Sequence, residues 1–136
     1  MRNGYSIKHL DPVNPGDQVK PTRQWQFPND WTMSQITFYE RAAGCQFGGH
    51  VHHGSDLSKS PELLLLVRGR MKVKFVGLDG QTEEVEIGEW DFLTIDPGVV
   101  HSMKAMTNVV ICEPRRTLFN RECPDTYPVA AEAAPC

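Results

Sequence analysis

No stretch of this sequence has the ~18 consecutive apolar residues that a membrane-spanning helix needs; the longest apolar run is Leu63-Leu64-Leu65-Leu66-Val67. The N-terminal MRNGYSIKHLDPVNPGD lacks the apolar core of a secretory signal, so a cytoplasmic location is expected. Basic residues are not in excess: 14 Lys and Arg stand against 17 Asp and Glu, and this balance predicts no nucleic-acid partner. Cysteine is scarce, with only Cys45, Cys112, Cys123 and Cys136, none in a CxxC pair or a zinc-ribbon spacing. In a reducing compartment the expectation is four free thiols, with Cys45 and Cys112 as small buried residues of strand-like segments. No convincing long helical pattern is present, and no internal repeat.

What is present is punctuation and short β-type runs. The 136 residues fit one domain, which buries roughly two thirds of the surface its unfolded chain exposes. Ten prolines and eleven glycines predict many turns. Residues 1–30 read as an extended N-terminal arm that packs on the barrel, with Trp25 and Phe27 as anchors. Residues 31–117 read as a β-barrel, and 118–136 as a tail wrapped on its surface. Within the barrel, WTMSQITFYERA and CQFGGHVHH read as strands, the second interrupted at Gly48-Gly49 by a bulge or a close backbone approach. ELLLLVRG reads as a strand buried on both faces. RMKVKFVG alternates, with Met71, Val73 and Phe75 inward and Lys72 and Lys74 outward, and Asp79-Gly80 marks a hairpin into QTEEVEIG. Glu83, Glu84 and Glu86 are expected on the wet face opposite the lysines. EWDFLTI, VVHSMKAM and NVVICEPRR complete the set.

Three of the five histidines lie in Gly49-His50-Val51-His52-His53-Gly54. On a strand, His50 and His52 project from one face, and two imidazoles inside a barrel suit a transition metal. Glu62 heads a run of four leucines, where a carboxylate is out of place unless it faces a charge. His101 follows the turn Asp96-Pro97-Gly98 and stands among apolar neighbours, which calls for an inward polar partner.

These positions resemble the two motifs of the cupin superfamily. Gly44, His50, His52, Glu62 and Gly69 correspond to the first motif, and Gly88, Pro97, Gly98 and His101 to the second. The resemblance covers about residues 44–108. Two departures stand out: nine residues separate His52 from Glu62, more than the family's usual spacer, and Asn108 is off the register of the second-motif asparagine. The resemblance implies an all-β, single-domain, RmlC-like double-stranded β-helix (a jelly-roll barrel). It implies one divalent transition metal (Fe, Mn, Ni, Co or Zn) on His50, His52, Glu62 and His101. The implied activity is a metal-dependent enzyme acting on a small polar oxygenated substrate, carbohydrate or sugar-nucleotide, by isomerase or epimerase chemistry. An Fe(II) dioxygenase and a non-catalytic sensor are the alternatives, since the fold hosts many functions. His53, Tyr39 and Glu113 are the candidate catalytic acid–base groups. The long loop from His53 to Ser60 is the expected lid or specificity element. A small-molecule substrate and a homodimer are the expected partners, the dimer because both faces of the Leu63–Val67 strand need cover and the outer one must be covered by the N-terminal arm or by a second subunit packed sheet on sheet.

Overall fold

A computed structural model describes residues 3–14, 16, 18–19, 21–28, 32–122 and 124–129. Ten strands follow in chain order: β1 (Tyr5–His9), β2 (Gln35–Arg41), β3 (Gln46–Val51), β4 (Glu62–Arg68), β5 (Met71–Val76), β6 (Thr82–Ile87), β7 (Asp91–Ile95), β8 (Val100–Ala105), β9 (Val109–Arg115) and β10 (Tyr127–Pro128). They form two five-stranded antiparallel sheets, ordered β1-β7-β4-β9-β2 and β10-β3-β8-β5-β6. The core fills the space between them. Leu64 and Leu66 of one sheet share it with Val73, Phe75 and Met103 of the other. Among the described residues no helix is long and apolar enough to cross a membrane.

The two faces of β4 are both covered, but by different means. Leu64 and Leu66 point into the core, while Leu63 and Leu65 join Leu10, Phe92 and Cys112 on the outer face. The N-terminal arm covers that outer face itself. Trp25 stacks on Trp90 with centroids 4.0 Å apart, and Phe27 meets Phe92 at 6.0 Å. Each such buried side chain contributes about 1.5–3 kcal/mol, and no second subunit is needed to shield this face. The arm also supplies a strand: β1 extends the first sheet by pairing with β7.

Local departures from the sequence reading have physical causes. The β7 strand begins at Asp91 rather than Glu89, because a tight turn closes with Asp91 N donating to Gly88 O at 3.1 Å and Gly88 N to Asp91 Oδ2 at 2.8 Å. Lys72 and Lys74 sit opposite Glu86 and Glu84, but Glu83 has the other parity and accepts the Tyr5 hydroxyl at 3.1 Å. Cys45 is disulfide-bonded, so the expectation of four free thiols fails there; spacing along the chain cannot show which sulfurs meet in space. Cys112 is a buried free thiol, and Cys123 and Cys136 lie outside the described residues, as do Trp31 and the Ala-rich end of the tail.

Candidate metal centre and its cavity

The site is assembled where β3 meets β8. The register of that pair shifts between Gly48 and His50, a bulge at the two glycines. Gly48 and Gly49 have φ of 77° and 68°, and a Cβ on Gly48 would come 3.0 Å from the His101 carbonyl oxygen. Only glycine accepts both conditions at low cost. The bulge lets the end of β3 lie directly against β8, which pairs His50 with His101.

His50, His52, Glu62 and His101 come together, each offering a ligand atom within 4.8 Å of the others. His52, Glu62 and His101 are buried, and His50 is half-buried. Glu62 Oε2 lies 2.9 Å from both His52 Nε2 and His101 Nε2. The opposite ring nitrogens are committed to the backbone: His52 Nδ1–H donates to the Asp125 carbonyl at 2.6 Å, and His101 Nδ1–H to the Val99 carbonyl at 3.1 Å. Such bonds fix the tautomer that leaves Nε2 as a lone-pair donor, as in metal-ligating histidines. His50 Nε2 and His101 Nε2 are buried without a hydrogen-bond partner; His101 Nε2 approaches Glu62 without the direction a hydrogen bond requires. Buried lone pairs facing a carboxylate are unfavourable unless a cation stands among them. The donor set, three imidazoles and one carboxylate, therefore fits a first-row divalent metal.

The electrostatics agree. Burial, reinforced by the neighbouring His101, pushes His50 down to about 4, so its imidazole is neutral near neutral pH. Burial alone would raise the Glu62 carboxyl, but His101 and His52 outweigh it and hold it well below the usual carboxylate range. For His101 burial works against the charged form, and Glu62 more than offsets it, so its pKa is raised.

The cluster opens on a cavity of about 130 Å³ with a floor of Leu64, Met103 and Ile111. Tyr39 and Glu113 line the same cavity. They belong to adjacent strands, β2 and β9, with Thr37 opposite Glu113 and Tyr39 opposite Ile111. Arg115 ties them together, donating from Nη2 to the Tyr39 hydroxyl at 3.1 Å and to Glu113 Oε2 at 3.2 Å. Burial, and then the charge of Glu62, pushes Glu113 up to about 7 against the opposing pull of Arg115. Burial and Glu113 together raise the Tyr39 hydroxyl. His53, by contrast, is exposed, lies with its ring 4.4 Å from that of Tyr127, and does not line this cavity.

Besides Arg115, three contributors escaped the sequence reading. Arg41, two residues beyond Tyr39 on β2, lines the cavity by the same strand parity that places Tyr39 there. Lys59 reaches it from a 3-10 turn, Leu57–Lys59, inside the long loop after His52. Asp125, in the tail, takes amide hydrogens from His53 (3.0 Å), Gly54 (2.7 Å) and Asp56 (3.3 Å) on its buried carboxylate. Burial would raise this carboxyl, but the amides of His53, Gly54, Asp56 and Ser55 outweigh it and hold it down at about 2. No signal local to Pro124-Asp125-Thr126 announces that contact.

No protein-family profile and no curated protein sequence matches the chain. Solved structures do resemble it. One is QdtA, a sugar 3,4-ketoisomerase from Thermoanaerobacterium thermosaccharolyticum in complex with TDP, with TM-score 0.69 and 13% identity over 93% of this chain and 88% of that one. A variant of the same enzyme, with TM-score 0.67 and 13% identity over the same shares, is in complex with TDP-4-keto-6-deoxyglucose. Another is a dTDP sugar isomerase from Desulfovibrio desulfuricans G20, with TM-score 0.70 and 14% identity over 96% and 86%. A third is the capsular polysaccharide assembling protein CapF from Staphylococcus aureus, with TM-score 0.61 and 21% identity over 74% of this chain but only 27% of that longer one. What this chain shares with them is the fold, a cupin-type jelly roll of two antiparallel sheets.

Proposed function

We propose that the chain is a metal-dependent enzyme of the isomerase type, acting on a small oxygenated substrate of the carbohydrate or sugar-nucleotide class. One observation carries this reading: the cavity lined by His50, Glu62 and His101, three of the four clustered donors, is also lined by the separate proton-carrying groups Tyr39 and Glu113. The sugar isomerases of the same fold support the substrate class.

A divalent transition metal (Fe, Mn, Ni, Co or Zn) held by the three imidazoles and Glu62 would act as a Lewis acid on a substrate carbonyl. The Asp125 and Val99 carbonyls keep His52 and His101 in the ligating tautomer. Glu113 takes the proton from the carbon next to the carbonyl and returns it to the carbonyl carbon. The Tyr39 hydroxyl passes a proton from the substrate's hydroxyl oxygen to its carbonyl oxygen. Carbonyl and alcohol thus exchange places with no net gain or loss of protons or electrons. Arg115 orients both groups, donating from Nη2 to the Tyr39 oxygen and to Glu113 Oε2, which leaves the phenol hydrogen for the substrate.

Incubation of the metal-loaded protein with TDP-4-keto-6-deoxyglucose in D2O, followed by proton NMR, tests the reading. The expected result is deuterium at the exchanging carbon, a new keto isomer, and loss of both with chelator or in Glu113→Gln. Oxygen uptake with Fe(II) in place of exchange would make the chain a dioxygenase. Tight binding without turnover would make it a sensor. We further propose a homodimer joined at β2, an edge strand of the first sheet that exposes Ile36 and Phe38; light scattering that shows a monomer at micromolar concentration removes it.

A further inference from the structure

We propose that Arg41 and Lys59 form a docking point for an anionic oxygen group of the substrate, a phosphate or a carboxylate, at the wall of the metal-site cavity. Both residues line that cavity. The Arg41 guanidinium lies 5.5 Å from the ring centre of Tyr39 and 5.2 Å from that of Phe47, so two aromatic faces fix its plane. Its Nε is buried and has no hydrogen-bond partner among the described residues. Among the described residues, neither Arg41 nor Lys59 has a carboxylate partner. Arg115, by contrast, is matched by Glu113 at 3.2 Å.

Lys59 is not carried by a loose loop. Asp56 caps its turn, accepting Ser58 N at 2.9 Å on Oδ1 and Lys59 N at 3.1 Å on its carbonyl, and the Lys59 ammonium lies 5.2 Å from the Phe119 ring centre. A planar guanidinium suits two oxygens of one anion, and an ammonium lining the same cavity adds a point charge. Two partly buried cations lining one cavity without a carboxylate partner are costly unless a ligand supplies the counter-charge. The inference deepens the isomerase reading by giving the substrate an anionic group, but it is tested without turnover.

Isothermal titration of the full-length protein with methyl phosphate, with acetate and with the neutral methyl glucoside provides the test. Saturable binding of one of the anions is expected, and whichever binds tighter identifies the group as phosphate or carboxylate. Arg41→Met should weaken that anion at least tenfold and Lys59→Met several-fold, while Arg41→Lys, which keeps the charge but loses the fork, falls between. Methyl glucoside binding should not respond to either substitution. Far-UV circular dichroism and Tm confirm that the variants fold. Equal anion affinity in wild type, Arg41→Met and Lys59→Met, or no anion binding at millimolar concentration, overturns the inference. Failure of the isomerase reading would show instead as anion binding, lost in these variants, without substrate exchange in D2O.

Discussion

Asp125→Ala is expected to damage stability and the metal site together. The side chain is fully buried and receives amide hydrogens from His53, Gly54 and Asp56 at 3.0, 2.7 and 3.3 Å. Truncation strands these donors, and each buried donor left unpaired costs about 1–3 kcal/mol. Part of the loop can turn to water, so a total of about 3 kcal/mol is expected, a large fraction of a stability of about 5–15 kcal/mol. In a domain of this size that lowers Tm by roughly 10 °C. The second effect runs through the backbone. The Asp125 carbonyl holds His52 Nδ1 at 2.6 Å, and once the carboxylate no longer pins residue 125 the imidazole loses its orientation. Loss of such a supporting bond typically weakens metal affinity about 10–100-fold. Calorimetry gives the first effect. Co(II) titration, with the downfield imidazole N–H signal of the metal-free protein, gives the second. A Tm within about 2 °C of wild type, a shift smaller than about 1 kcal/mol would give, together with unchanged Co(II) affinity would contradict both effects.

Gly48→Ala should lose about 1–2 kcal/mol of stability by chemical denaturation and weaken metal binding, because the new Cβ meets the His101 carbonyl at a strained φ; a neutral effect would mean that the bulge is dispensable. Leu65→Ala should cost about 2–5 kcal/mol by the same assay, since Leu65 packs in the cluster between β4 and the arm; a surface-like loss below ~0.5 kcal/mol would show that the arm does not cover it. Cys112 should resist iodoacetamide in the native protein at pH 8, because burial pushes its thiol up to about 11, and peptide mapping that finds rapid labelling there would contradict this.

The barrel was legible because its strands obey period-two patterning and its turns carry Asp-Gly and Pro-Gly signals. Lys72, Val73, Lys74 and Phe75 alternate as read, and the bulge at Gly48-Gly49 lies where the paired glycines suggested. The four candidate ligands could be named because motif spacing places them, and the structure brings their donor atoms together. What could not be read arises from contacts between distant segments. Asp125 reaches His53 across 72 residues of sequence, and a tail aspartate carries no local mark of that partner. The strand Tyr5–His9 is short and followed by a Pro-, Asn- and Gly-rich stretch, so its pairing with β7 is set by the sheet rather than by its own propensity. Lys59 was hidden in a loop longer than the motif allows; that loop is a capped 3-10 turn held from below by Asp125. His53 shares the histidine cluster in sequence, but it follows the end of β3 and turns outward onto Tyr127.

The metal assignment is tested most directly by elemental analysis of wild type and five single variants, purified identically. Wild type should hold one divalent transition metal per chain, with near-complete loss in His50→Ala, His52→Ala and His101→Ala. Glu62→Ala should retain more, because water can replace an oxygen ligand more nearly like for like, and His53→Ala should match wild type, since its ring lies against Tyr127 outside the cluster. Wild-type content in His52→Ala or His101→Ala, or loss in His53→Ala with retention in His52→Ala, would contradict it.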